Sequence, residues 1–259
     1  MLKKALLFFS LTLAFSVLFV SNDFAQAKKA PVKKTVVRKT TTTRTATAKK
    51  KTVAATKPVT DLSTAGTIRV RIITDSGTMI VRLYDSTPLH RDNFAKLVKE
   101  GFYDSLMFHR IIPGFMIQGG DPLSKNAVAG AMLGSGGDNM ERIPAEFRPS
   151  LIHKKGVLAA ARDGNPQKAS SACQFYLVDG TIGNDAMLSS LDQRRTVKYT
   201  DQQKEIYKTI GGTPFLDMEY TVFGEVESGI EVIHKIAVAA RNPTDRPLTD
   251  IRMRMELVK

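Results

Sequence analysis

Apolar and charged residues alternate along residues 67–84, which read TIRVRIITDSGTMIVRLY. An alternation with a period of two places the apolar side chains on one face of a β-strand. Asp75, Ser76 and Gly77 interrupt the alternation near its middle, and these residue types favour turns. The pattern therefore predicts a β-hairpin with one buried face.

The period changes to that of a helix in the segment 87–101. Phe94, Leu97 and Val98 recur on one helical face, and Thr87 occupies the N-cap position ahead of a proline. Proline suits the first position of a helix because its fixed φ is already helical. A glycine follows the last periodic residues. We therefore predict an amphipathic helix with Thr87 as its cap.

Further short apolar runs are bounded by turn-rich segments and predict additional strands. Strand character is found at residues 105–122, 156–161, 174–178, 221–227 and 250–259, and a second amphipathic helix is predicted at 228–240. Residues 179–214 break the pattern, because they are polar and contain one short predicted helix at 201–210. Many short strands with an early and a late helix favour an antiparallel barrel or sandwich that carries an insertion at 179–214.

The first 27 residues have the three parts of a secretory signal peptide. Lys3 and Lys4 precede an apolar stretch at 6–20, and an Ala-Gln-Ala sequence at 25–27 offers a cleavage site. The apolar stretch is shorter than the roughly 20 residues that a membrane span needs. We expect cleavage after Ala27, with a retained membrane anchor as the alternative. The expected destination is the periplasm, with full secretion as the other option.

The net charge of +13 comes mostly from a segment that does not look globular. Residues 28–60 contain eleven Lys or Arg, no acid and no aromatic residue, which leaves residues 61–259 close to neutral. Such a segment cannot bury enough apolar surface to offset its ordering entropy, so we interpret it as a disordered linker. It serves either as a spacer or as a tether to an anionic envelope surface. Nucleic acid fits poorly, because base stacking needs aromatic residues.

Chemistry that depends on metals or cofactors lacks support in the sequence. The four histidines are not paired at metal-ligand spacing, and neither a phosphate loop nor a G-x-S-x-G elbow is present. Acidic residues are scattered without a recognisable catalytic pair. The sequence therefore predicts an activity that needs neither a metal nor a cofactor.

The segment FHRIIPGFMIQGGDP, residues 108–122, combines an arginine with an apolar run and a pair of glycines. It resembles the signature of the cyclophilin family of peptidyl-prolyl cis-trans isomerases, and the resemblance extends over residues 68–259. QFYLV at 174–178 and TVFGEV at 221–226 are part of it. The resemblance implies a mainly β fold in a domain at 61–259, namely a closed eight-stranded antiparallel β-barrel capped by two α-helices.

The reaction of this family explains why an arginine would stand beside an apolar patch. Rotation about a peptide bond faces a barrier of ~18–20 kcal/mol, because resonance gives the C–N bond double-bond character. A catalyst must stabilise the twisted state, in which the proline nitrogen becomes a better hydrogen-bond acceptor. An arginine aimed at that nitrogen supplies a permanent charge and a defined donor geometry, while an apolar pocket holds the proline ring.

The resemblance assigns roles to individual residues. It implies that Arg110 is the catalytic donor and that Gln118 orients this arginine and contacts the substrate backbone. The other implied site residues bind the peptide: Phe115, Met116, Ala161, Arg162, Gln174, Tyr176, Phe215, Leu216 and Tyr220. No metal ligand is implied.

Four of these positions depart from the family pattern. Tyr176 stands in place of the usual phenylalanine, and Tyr220 in place of a frequent histidine, so both keep an aromatic wall. Arg162 stands in place of the usual asparagine, which implies a changed contact to the peptide backbone and leaves the preferred residue before proline open. Phe215 stands where many members have Trp or His. Because the chain contains no Trp, the resemblance implies weak inhibition by cyclosporin.

The sequence as a whole predicts an exported, monomeric prolyl isomerase that assists protein folding in the cell envelope. Its expected partners are proline-containing peptides and unfolded polypeptides. Two alternatives stay open at this point. One is a holdase or binding module that recognises prolyl segments with incidental turnover or none. The other is a surface-tethered adhesin or scaffold that acts through the basic linker.

Overall fold

The computed structural model describes residues 67–258, so the predicted signal peptide at 1–27 and linker at 28–60 lie outside the described residues. The strands in this part of the chain are β1 Arg69–Thr74, β2 Gly77–Leu83, β3 Arg110–Ile112, β4 Met116–Gly119, β5 Val157–Ala160, β6 Phe175–Val178, β7 Val222–Ser228 and β8 Met253–Val258. The α-helices are α1 Pro88–Lys99, α2 Asp185–Arg194, α3 Asp201–Thr209 and α4 Glu231–Ala237. None of these helices is long and apolar enough to cross a membrane.

All eight strands belong to one antiparallel sheet in the order β3-β4-β6-β5-β7-β2-β1-β8. The sheet curls until the segments ahead of its two edge strands meet. Met253 exchanges backbone hydrogen bonds with Ser105 and Leu106 at 2.9 and 2.8 Å. Phe108 N donates to Ile251 O at 3.0 Å. These bonds join the two edges, and the predicted eight-stranded antiparallel fold with packed helices is confirmed.

The sheet buries apolar side chains on both of its faces. Strand β5, with the sequence VLAA, is buried at all four positions. Leu158 and Ala160 belong to the inner core, where α1 and α4 pack against the sheet. Val157 and Ala159 belong to a smaller cluster on the outer face. A continuous apolar run is the expected signature of a strand that is covered on both sides.

The strand region predicted at 105–122 resolves into the hairpin β3–β4. Gly114 lies in its turn with φ of +69°, a conformation that favours glycine. The helix predicted at 228–240 is shorter in the structure, where it is α4. Strand β7 continues through Ser228, so the first residue of the predicted helix belongs to the sheet.

Thr87 occupies the N-cap position of α1 as predicted, but it does not cap the helix with its side chain. Its side chain makes no capping hydrogen bond, and its Oγ1 instead donates to Tyr84 O at 3.4 Å. The carboxylate of Glu146 takes the capping role, because it accepts from Leu89 N at 3.2 Å and from His90 N at 3.0 Å. A negative charge at this position also suits the positive end of the helix dipole.

The insertion predicted at 179–214 is a small helical lobe. Helix α3 confirms the helix predicted at 201–210, whereas α2 is a second helix that the hydrophobic pattern did not indicate. A separate apolar cluster lies under the two helices and consists of Ile152, Leu188, Tyr199 and Tyr207. We call residues 179–214 the lobe from here on.

A glycine closes the neck of the lobe. Gly212 forms isolated β-bridges with Thr181 and with Lys154, so the two ends of the lobe meet the body of the barrel. Its φ is +156°, and a Cβ at this position would lie 2.2 Å from His153 O. The Gly211-Gly212 pair therefore ends α3 and also permits this close approach.

Candidate active site

A row of side chains crosses strands β3, β4 and β6 on the outer face of the barrel. Arg110 faces Gln118 of β4 in register, and Gln118 in turn faces Tyr176 of β6. The alternation along β4 sends Ile117 into the inner core and leaves Met116 in the outer cluster. The outer face of these strands is therefore apolar beside the arginine, as the motif suggested.

These side chains line a cavity of ≈ 100 Å³. Its walls consist of residues that the resemblance singled out: Arg110, Phe115, Met116, Gln118, Ala161, Arg162, Tyr176, Leu216 and Tyr220. They come from four separate segments of the chain, which the antiparallel pairing of β4, β5, β6 and β7 brings together. The cavity joins apolar and aromatic walls to a guanidinium, which is the combination that a proline ring and its nitrogen require.

The two remaining predicted residues lie next to this cavity. Gln174 lines a neighbouring cavity of ≈ 110 Å³, which shares Gln118, Ala161 and Arg162 with the first. Phe215 is 55% exposed, and its ring centre lies 5.7 Å from that of Phe115. All predicted site residues therefore belong to one continuous region of the surface, while their individual roles stay predictions.

Two glutamine amides fix each other between the cavities. Gln118 Nε2 donates to Gln174 Oε1 at 3.2 Å. Gln174 Nε2 donates to Gly134 O and to Gly136 O, each at 2.9 Å. Both hydrogens of the Gln174 amide are used in this way, so its orientation is defined. The two side-chain amides therefore hold the 134–136 loop against the site.

The Gly-Gly-Asp sequence of the motif shapes the end of β4. Gly120 has φ of +91°, and a Cβ there would lie 2.2 Å from Cys173 O, so only glycine fits. Asp121 is fully buried and accepts hydrogen bonds from Leu123 N at 2.8 Å and from Gly134 N. The glycine thus permits close strand packing, and the aspartate holds the loop whose carbonyls orient Gln174.

The guanidinium of Arg110 is partly free in the cavity. Its Cζ lies 6.0 Å from the ring centre of Phe115, and its Nε lies 4.0 Å from Asp245 Oδ2. The side chain is 43% exposed, so its donors can reach a bound peptide. An aromatic face and a distant carboxylate orient the group without using all of its N–H bonds.

Arg162 has a different environment, in which its donors are engaged by protein groups. Nε donates to Glu219 O at 3.0 Å, Nη1 to Asp163 O at 2.9 Å, and Nη2 to the Glu219 carboxylate at 3.4 Å. Its Cζ lies 4.6 Å above the ring of Tyr220. The arginine therefore fixes the turn that carries Tyr220 and so helps to form a wall of the cavity.

The hydroxyl of Tyr176 is not a reactive group. Burial raises the pKa of this phenol well above its usual value, and the charges of Tyr220 and Asp217 add to the increase. The hydroxyl stays protonated at neutral pH and lies 3.0 Å from His153 Nε2. Tyr176 thus contributes its ring to the cavity and its hydroxyl to the protein behind it.

Sequence reasoning missed two buried residues directly behind the cavity. His153 Nδ1 lies 2.7 Å from Asp217 Oδ1, and both side chains are almost completely buried. Their 64-residue separation gives no periodic or motif signal. The single local signal that could have pointed to Asp217 is its position directly after Leu216, a predicted wall residue.

The barrel fold and the arginine-lined cavity define the class of protein. The chain matches the family described as "Cyclophilin type peptidyl-prolyl cis-trans isomerase/CLD" over residues 69–256. The chain therefore belongs to the cyclophilin-type family, and its enzyme class is peptidyl-prolyl cis-trans isomerase. The implied substrates are proline-containing peptides.

Individual relatives support the same assignment. A peptidyl-prolyl cis-trans isomerase relative from Staphylococcus saprophyticus is 33% identical over 187 residues, which cover 71% of this chain and 88% of the relative. A relative from Staphylococcus aureus is 32% identical over 72% of this chain and 89% of its own length. The crystal structure of a Cryptosporidium parvum cyclophilin type isomerase has a TM-score of 0.56 at 24% identity and covers 75% of this chain and 99% of its own, which supports the fold.

Cyclosporin is expected to inhibit this enzyme weakly, because Phe215 cannot supply the indole contact that the resemblance implies for many relatives. Replacing Phe215 with tryptophan should strengthen inhibition by roughly fivefold, equivalent to about 1 kcal/mol for one regained hydrogen bond. Inhibition constants in an isomerisation assay would test this, with Phe215→Tyr as a control that keeps an aromatic ring. Complete inhibition of the unaltered protein at stoichiometric drug would contradict the expectation.

Proposed function

We propose that the protein accelerates Xaa-Pro rotation in exported polypeptides and thereby assists their folding in the cell envelope. The observation that carries the proposal is the single cavity in which the Arg110 guanidinium lies beside Phe115, Met116 and Tyr176. A proline ring would occupy the apolar part, and the arginine would face the proline nitrogen. No covalent bond needs to break in this reaction.

The proposed mechanism follows from the shape of the rotational barrier. The planar peptide bond has little basicity at nitrogen, whereas the twisted bond localises a lone pair there. A preorganised cation interacts more strongly with the twisted state than with either planar state, which lowers the barrier. The glutamine pair Gln118 and Gln174 would hold the peptide backbone on one side of the bond while the other side rotates.

The envelope part of the proposal is supported by the N-terminal sequence. A charged start, an apolar stretch and the Ala-Gln-Ala site at 25–27 are typical of exported proteins. Uncatalysed Xaa-Pro isomerisation takes tens to hundreds of seconds, and exported chains face the same delay after they cross the membrane. A folding catalyst in that compartment would need no nucleotide, in keeping with the expectation of a cofactor-free enzyme.

Refolding of a protein whose slow phase is a prolyl isomerisation tests the proposed role. The unaltered protein should shorten the slow phase, and Arg110→Ala should not, although both bind the chain. Suppression of aggregation that survives in Arg110→Ala, without acceleration by the unaltered protein, would instead favour the holdase. Cell fractionation would test the proposed periplasmic location.

The basic segment at 28–60 can be tested separately. If it tethers the protein to an anionic surface, its deletion should release the protein from envelope fractions and leave isomerisation of short peptides unchanged. Unchanged fractionation after the deletion would favour a simple spacer. Loss of function in the cell after the deletion, with isomerisation of short peptides unchanged, would favour the adhesin or scaffold.

A further inference from the structure

A single buried carboxylate connects the lobe to the body of the barrel. Asp217 Oδ2 lies 2.6 Å from the hydroxyl of Tyr207 and 2.7 Å from that of Tyr199, both of which belong to the lobe. Asp217 Oδ1 accepts from the backbone N and from Nδ1 of His153, each at 2.7 Å. The Asp217 side chain is 2% exposed. Charge-assisted hydrogen bonds that are shielded from water are among the strongest in proteins.

This chain of hydrogen bonds ends at the floor of the proline cavity. His153 Nε2 lies 3.0 Å from the hydroxyl of Tyr176, and the two rings are stacked with an interplanar angle of 14°. Each ring nitrogen of His153 therefore has a partner, Asp217 for Nδ1 and the Tyr176 hydroxyl for Nε2. A phenylalanine at position 176 would leave the buried Nε2 without a partner, which is costly.

The same network also reaches a wall of the cavity. Asp217 directly follows the 3-10 helix Pro214–Leu216, which carries two of the predicted peptide-binding residues. The Tyr199 hydroxyl lies 2.8 Å from Pro214 O, and Thr213 N donates to His153 O at 2.8 Å. The floor and this wall are thus bonded to groups that the lobe holds in place.

We propose that the lobe supports the proline cavity from behind, with His153 and Asp217 as positioning residues and Tyr199 and Tyr207 as their anchors. This inference rests on the proposed isomerase function, because it concerns the site at which a prolyl peptide binds. If the lobe only stabilised the fold, weakening its hydrogen bonds to Asp217 would lower the melting temperature without changing the affinity for peptides. Peptide affinity therefore separates positioning from simple stabilisation.

The decisive variant is Tyr207→Phe, which removes one hydroxyl and keeps the buried ring. We expect the Kd of a proline-containing tetrapeptide, measured by NMR titration of the full-length protein, to rise about 3- to 10-fold. We expect kcat to change less than twofold, because Arg110 lies outside the network. Asp217 would retain its two bonds to His153, so the fold should be preserved.

A matched control and a double variant sharpen the test. Tyr103 is also a fully buried tyrosine, but its hydroxyl bonds to Cys173 O at 3.2 Å in the inner core. Tyr103→Phe should therefore leave the Kd within twofold of the unaltered protein. In a Tyr176→Phe background, adding Tyr207→Phe should raise the Kd by a smaller factor than it does in the unaltered protein, because the route to the cavity floor is already absent and only the wall at Pro214–Leu216 still depends on the lobe.

The possible outcomes distinguish a lobe that positions the cavity from one that only stabilises the fold. A Kd change below twofold in Tyr207→Phe, or an equal rise in Tyr103→Phe, would overturn the proposal. If Tyr207→Phe fails to unfold cooperatively, Tyr199→Phe carries the same expectation and decides in its place. If the protein binds the tetrapeptide but does not isomerise it, the proposed function is contradicted. The comparison of Kd values would still test whether the lobe positions the cavity.

Discussion

Replacing Arg110 with alanine should lower kcat/KM for Xaa-Pro isomerisation by about 100- to 1,000-fold, the range seen when one preorganised donor is removed from an active site. The guanidinium is the charged donor beside the apolar part of the cavity, and Arg162 cannot replace it because protein groups engage its donors. Binding of a prolyl peptide should weaken much less, since the apolar walls remain. NMR exchange spectroscopy on a prolyl peptide measures both quantities.

A second variant at Arg110 separates the role of charge from that of geometry, and a variant at a distant arginine serves as the control. Arg110→Lys keeps the positive charge and loses the planar donor fork, so an intermediate rate is expected. Arg254→Ala removes an arginine that is 60% exposed on β8, away from the cavity, and should leave the rate unchanged. A folded Arg110→Ala protein with an unchanged rate would refute the mechanism.

Acid should destabilise the protein through His109, the residue that precedes β3. Burial lowers the pKa of this imidazole to about 4, although the charge of Asp121 opposes the shift. Among residues 67–258 neither ring nitrogen has a hydrogen-bond partner. In the unfolded chain the same group titrates near 6.5. Below that pH the unfolded chain therefore binds a proton that the folded protein cannot take up, and stability falls by about 3 kcal/mol as the pH decreases from 6.5 to 4.

Urea unfolding of the unaltered protein and of His109→Gln across this pH range would measure the effect. The variant should lose less stability on acidification, and the difference between the two curves should approach 3 kcal/mol near pH 4. Other titrating groups, including His90, whose pKa is also lowered by burial, are common to both proteins and cancel. Parallel curves would exclude this role.

Much of the barrel was predictable because its strands and its first helix have clear periods. The hairpin β1–β2 and α1 appear where alternation and helical spacing predict them. The two-sided burial of β5 explains its unbroken apolar run. Helix α2 escaped prediction because among its own residues only Leu188 is fully buried, so its sequence shows little amphipathic contrast.

The site was predictable as a set of residues but not as a set of contacts. The short motifs led to Arg110 and the cavity walls because the resemblance to the family assigns roles to those residues as an ordered set. The motif did not reveal that Arg162 would turn towards Glu219 and Tyr220. It also did not reveal His153, because a hydrogen bond between distant positions leaves no pattern in the chain.

The order of residues alone was sufficient to identify the family, most strands, both barrel helices and the members of the cavity. Those features depend on local periodicity and on several short motifs, which can be read directly from the chain. Folding was needed to reveal that Glu146 caps α1 and that Asp217 ties the lobe to Tyr176. In these cases the partners are far apart in sequence, and three-dimensional packing decides which donor meets which buried acceptor.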